Sequence, residues 1–175
     1  MIALTFLRRL SFNLLLPTAL TLSMMGCTSG LIQQSVTEAE SVTGTRLQCV
    51  RDSGRTFFLA PFVPPHSIGG RSTTLATCEQ LIQSANSREN VVCALHDDGF
   101  SPTYFEVDPG KDLHQAQIGE GLSLAQCQSI TTMAVDGFTC AKSNRKFVIH
   151  TIEQTPRHVD AGSPTLQACL DKLAR

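Results

Sequence analysis

The chain has 175 residues, with 14 basic and 15 acidic side chains, seven cysteines, one tyrosine and no tryptophan. That length holds one domain with a single core, and 42% hydrophobic against 17% charged residues excludes wholesale disorder. A near-neutral balance without a basic stripe argues against nucleic acid as a partner, and no apolar run beyond the N-terminus is long enough to cross a bilayer.

Residues 1–26 read as an export signal. Arg8 and Arg9 supply the positive n-region, and Leu10 to Leu20 form an apolar stretch too short, and too interrupted by Pro17 and polar residues, to span a membrane. The stretch ends in Leu22-Ser-Met-Met25-Gly26-Cys27-Thr-Ser-Gly30, a small residue directly before a cysteine. This resembles the lipobox of bacterial lipoproteins, with Met24 where leucine is usual. The resemblance implies cleavage before Cys27 and attachment of acyl chains such as palmitate to its thiol and new amino group. The chain is then expected in the cell envelope, held to a membrane by its N-terminal lipid and facing the periplasm or exterior. The competing reading is an ordinary secretory signal with an incidental Cys27. Removal of the signal leaves 12 basic and 15 acidic side chains, a net charge of −3.

Residues 27–45 are polar and small, and read as a lipid-anchored tether spanning on the order of 20–25 Å root-mean-square. A short helix through Ile32 to Glu40 is compatible with the composition, and its role would still be spacing.

Residues 46–175 read as one domain of three copies of a single unit, 46–90, 91–137 and 138–175. The copies open with Leu47-Gln-Cys49, Val91-Val-Cys93 and Phe138-Thr-Cys140. Each opening strand runs into a turn of Asp, Asn, Ser or Gly, then into a second strand rich in β-branched and aromatic residues. A proline- and glycine-bearing loop follows, then the pattern Ser/Thr-Leu-x-x-Cys-x-x-Leu/Ile at Thr74–Leu81, Ser123–Ile130 and Thr165–Lys172 with Leu173. This spacing places Leu, Cys and an aliphatic residue along one helical face. Ser163-Pro164 and Ser72 are the expected helix starts. The expected fold is α+β: three disulfide-stapled ββα repeats, antiparallel hairpins with one packed helix each. A linear row and closure about a threefold axis both stay open.

Seven cysteines are an odd number for an exported protein. Lipid on Cys27 leaves Cys49, Cys78, Cys93, Cys127, Cys140 and Cys169 as a disulfide framework. The economical pairing lies within each copy, Cys49–Cys78, Cys93–Cys127 and Cys140–Cys169; bridging between neighbouring copies is the alternative.

The sequence lacks a Gly-x-Ser-x-Gly elbow, a phosphate-cradling glycine loop and a His-Glu-x-x-His pair. His96 with Asp97 and Asp98, which could suggest acid–base work, is placed where turn chemistry alone explains the carboxylates, so no enzyme and no cofactor are expected. The leading expectation is a non-enzymatic binding or structural module, with an envelope protein as partner and with hairpin turns and pre-helix loops as contact regions. The alternative is a small envelope metal-binding protein or enzyme whose loop histidines His66, His114 and His158, at matching places before the helices, converge on a metal such as zinc. His96 is expected on a hairpin turn, and His150 as a solvent-facing or hydrogen-bonded strand residue. Phe57, Phe58, Phe62, Phe105 and Phe147 are expected to fill the core. A further reading is an inhibitor-like domain presenting Pro61–His66 to a protease.

The layout Leu47-Gln-Cys49, Asp52-Ser-Gly54, Gly70–Cys78 and Val91-Val-Cys93-Ala94 resembles exported cyanobacterial proteins of the circadian-oscillating, membrane-associated family, without that family's tryptophan in the second strand. The resemblance covers about 45 residues and implies membrane association, with no reaction attached.

Overall fold

The structure, a computed structural model, describes residues 39–40, 46–63, 65–108 and 112–175. The export signal, Cys27 and most of the tether lie outside the described residues. Three antiparallel sheets alternate with three helices. The first sheet has strand order β1(Ala39–Glu40), β2(Arg46–Arg51), β3(Phe57–Pro61), β4(Ile68–Thr73), followed by α1(Leu75–Gln83). The second is β5(Val91–His96), β6(Gly99–Val107), β7(Leu113–Gln117), followed by α2(Leu124–Thr132). The third is β8(Phe138–Ser143) with β9(Lys146–Thr151), followed by α3(Leu166–Leu173). Ala39 and Glu40, placed by sequence in a spacer or short helix, are extended and pair with Leu47 and Arg46.

The hairpins follow from local chemistry. His96 pairs with Gly99 across a two-residue Asp97-Asp98 turn, and Ser143 with Lys146 across Asn144-Arg145. Asn144 and Arg145 both take positive φ, 47° and 66°, as a turn matching the strand twist requires. Asn tolerates that region; Arg is an uncommon occupant.

The helix starts correct the sequence reading. Thr74, Ser123 and Thr165 are the caps, accepting from the backbone N–H of Thr77, Gln126 and Ala168. Each immediately precedes the leucine of the helical pattern, so that leucine becomes the first helical residue. Ser72 instead donates to the Asp52 carboxylate, and Ser163 exchanges backbone hydrogen bonds with Phe147.

Disulfides join each helix to the first strand of its own segment: Cys49–Cys78, Cys93–Cys127 and Cys140–Cys169, with Cα separations of 6.0, 5.7 and 6.1 Å. Five of the six cysteines are fully buried and Cys49 is 4% exposed. Loops of 29, 34 and 29 residues correspond to roughly 3–4 kcal/mol each in the chain-entropy account. Of the phenylalanines expected inside, only Phe105 is fully buried; Phe57, Phe58, Phe62 and Phe147 are half-buried.

The segments before the first two helices are strands, not loops, and the reason is tertiary. Ile68 and Ile118 stand opposite Leu59 and Pro102, the residues that face the strand cysteines. Both are buried, Ile68 in a cluster with Ala94 and Ile118 in one with Ala141, each alanine belonging to the next segment. Burial of each isoleucine contributes about 2 kcal/mol. The glycine that follows allows the approach. At Gly69 (φ 84°) a Cβ would sit 2.8 Å from Ala94 Cβ and 2.7 Å from Leu95 O; at Gly119 (φ 78°), 2.7 Å from Ala141 Cβ and 2.6 Å from Lys142 O.

Hydrogen bonds reinforce both junctions. Gln115 accepts from Gly69 N–H and donates to Ser67 O, Thr131 donates to Ser84 O, and Asn86 donates to Ala134 O. Gly137 N–H donates to Glu89, and Asn144 N–H to Glu120. At the first junction the partners lie 46–48 residues apart, so nearly equivalent positions meet. In the third segment the residue corresponding to Ile68 and Ile118 is Val159, opposite Ile149 and 50% exposed. The described segments therefore form an open row, first on second and second on third.

Candidate functional site

The structure does not bring His66, His114 and His158 together. His66 is exposed ahead of β4, His114 sits within β7, and His158 is exposed after β9. Among the described residues no group of three or more His, Cys, Asp or Glu side chains is arranged to hold a metal ion. The physical reason is the stacking: β4 and β7 are drawn into successive junctions, and their flanking residues are spread along the row.

His114 Nε2 lies 2.8 Å from the Asp108 carboxylate, both partly exposed. His96 closes β5 rather than occupying the turn, and its Nε2 lies 2.8 Å from Thr103 Oγ1. Burial lowers the His96 pKa, against the opposing pull of Asp98 and Asp97. An imidazole beside a hydroxyl is the start of a nucleophile–base pair. Here Thr103 is fully buried and its hydroxyl is also bonded to Ser101 O, so the pair is part of the packing.

His150 departs most from expectation. It is neither solvent-facing nor hydrogen-bonded: the residue is 5% exposed, and Nδ1 and Nε2 both lack a partner. His158 stands across from it with ring centroids 4.3 Å apart and planes at 73°. Burial, aided by His158 and opposed by Asp160, holds the His150 pKa down to about 4. The alternation Phe147-x-Ile149-His150 revealed the strand, but not that the strand's second face is covered.

Two clefts follow the junctions. One of about 490 Å³ lies where the α1–β5 and α2–β8 connections meet and includes Arg88, Glu89 and Asp136. Another of about 450 Å³ lies between the β5–β6 turn, the start of α2 and the third hairpin, and includes Asp98, Gln126 and Lys142. Asp98 is a fixed acceptor there: burial alone would raise its pKa, but the Gly121 N–H and the Gln117 amide bring it below the usual value. Met133, Val135 and Phe138, beside the first cleft, are exposed at 46%, 39% and 37%. Val63, in the loop proposed for protease contact, is 66% exposed.

Charge is divided by segment, a signal the sequence reading passed over. Residues 46–90 carry five basic and three acidic side chains, 91–137 one and seven, and 138–175 six and three. An acidic middle lies between two basic flanks, and Arg71 pairs with Asp97 at 3.3 Å across the first junction. No described helix is long and apolar enough to cross a membrane.

Compared with known proteins, the chain matches no protein-family model, no curated protein and no solved structure.

Proposed function

We propose that this chain is an exported cell-envelope lipoprotein, anchored through Cys27, whose three segments are copies of one ββα unit acting as a non-enzymatic binding or structural module. The observation that carries this reading is the cysteine arrangement. Six are sealed pairwise in the core, which fits an oxidising compartment, and the seventh stands at the end of the signal where acylation takes place. The strands before α1 and α2 are spent on stacking, so contact regions fall instead on the hairpin tips and the two junction clefts. A partner there would be an envelope protein that matches the alternation of basic, acidic and basic segments.

Mass spectrometry of the mature chain from a lipoprotein-processing bacterium tests the anchor. The expected N-terminal peptide begins at Cys27 and carries acyl chains; an unmodified Cys27 retained inside a longer peptide rejects the proposal. Crosslinking of the full-length chain in intact cells tests the module, and the expected product contains an envelope protein attached through a hairpin tip or junction cleft.

A further inference from the structure

We propose that His150 and His158 form a two-imidazole site for one borderline divalent transition cation of the zinc, copper(II) or nickel class. Thr151 N–H donates to Arg157 O and Val159 N–H to Ile149 O, which makes His150 and His158 the non-hydrogen-bonded pair between them. In such pairs the side chains come closest. Both side chains therefore leave the bridge on the same side, and their rings are in contact.

The fold does not require a histidine at position 150. The corresponding residues are Ala60, opposite Gln48, and Thr103, opposite Val92, as His150 is opposite Thr139. All three positions are buried. Ala60 has no polar side-chain atom and Thr103 is hydrogen-bonded, whereas His150 has two unpartnered ring nitrogens. A buried polar group left without a partner is destabilising. A bound cation would take the lone pair of the ring nitrogen that carries no hydrogen. Imidazole is a common ligand for these metals, and His96 and His114 are already engaged elsewhere.

The ring separation is close to that of two imidazoles on one metal. Two imidazoles bound at about 2.0–2.1 Å hold their ring centroids about 4.5 Å apart at a right angle and about 5.2 Å apart at the tetrahedral angle. The observed 4.3 Å needs to open by less than about 1 Å, and the exposed His158 side chain can supply that movement. Asp160 lies two residues beyond His158 but is committed: Oδ1 accepts from Ile149 N–H and Oδ2 from Lys172. It contributes nearby negative charge rather than a third ligand, and water completes the shell.

Equilibrium dialysis of the untagged full-length chain against Zn(II) or Ni(II), in a Cys27→Ser background that removes the anchor thiol, tests the site. One equivalent is expected. His158→Ala and His150→Ala should each weaken binding at least about tenfold, while His66→Ala and His114→Ala leave it unchanged. His150→Ala is a fair test because alanine already fills the same place in the first segment. Absence of binding at millimolar metal, or binding that survives His158→Ala, overturns the proposal.

Discussion

The middle and third segments begin alike, with a cysteine strand, a tight turn and a second strand, and diverge at the stretch before the helix. In the middle segment that stretch is β7, with five residues paired to β6. In the third it is reduced to the isolated bridges His150–His158 and Phe147–Ser163. The difference tracks what lies on it. Ile118 is covered by Ala141 of the next segment, whereas Val159 is half in solvent. Gly119, which lets the neighbour approach, corresponds to Asp160. The strand before the helix is thus a product of burial by the following segment, not of local preference.

The widest break in this comparison comes from the disulfides. Replacing Cys140 and Cys169 together by alanine should cost about 3–4 kcal/mol and release the third segment first, because it has a single neighbour. The same change at Cys93 and Cys127 should cost a similar amount but unfold all three segments in one transition. Urea denaturation followed by hydrogen exchange distinguishes the two outcomes.

Single side chains sharpen the contrast. Ile118→Ala should lose about 3 kcal/mol, and Val159→Ala less than about 1 kcal/mol, by the midpoint of urea unfolding. Equal losses would mean that burial at the junction does not set the strand.

Acid should act mainly on the third segment. The folded-state pKa of His150 lies near 4, below its value of 6.5 in an unfolded chain, so the unfolded state binds more protons between these limits. Its stability contribution is complete above about pH 6.5 and is lost as pH falls toward 4, roughly 3 kcal/mol at most. His150→Ala should flatten that part of the stability–pH curve. The smallest effect is expected at Arg145→Gly, which relieves a positive φ in the third hairpin and should raise stability by about 0.5–1 kcal/mol in thermal unfolding.

The legible parts of the fold were those with a local chemical cause. Cysteine spacing, hairpin turns and the leucine–cysteine helical face could be read because each rests on residues close in sequence. The strands β4 and β7 could not: Ile68-Gly-Gly-Arg-Ser-Thr73 and Leu113-His-Gln-Ala-Gln117 are polar or glycine-bearing, and their apolar anchors, Ile68 and Ile118, stand singly at an edge. Their strand character comes from Ala94 and Ala141, more than 20 residues downstream. The helix caps were misplaced by two residues because Ser163-Pro164 looks like a start in isolation, while packing requires Leu166 to lead the helix. The histidines misled for the same reason. Matching places before a helix do not make equal positions in space, and the meeting of His150 with His158 depends on a bridge within the third segment that its sequence does not advertise.

The six half-cystines are buried, five of them completely, so small reductants have little access to them while the chain is closed. Reduction would then wait on opening, so the time course of thiol release under a fixed reductant becomes a clock for how often each helix lifts from its sheet. The bridge that falls first would name the part of the row that breathes most.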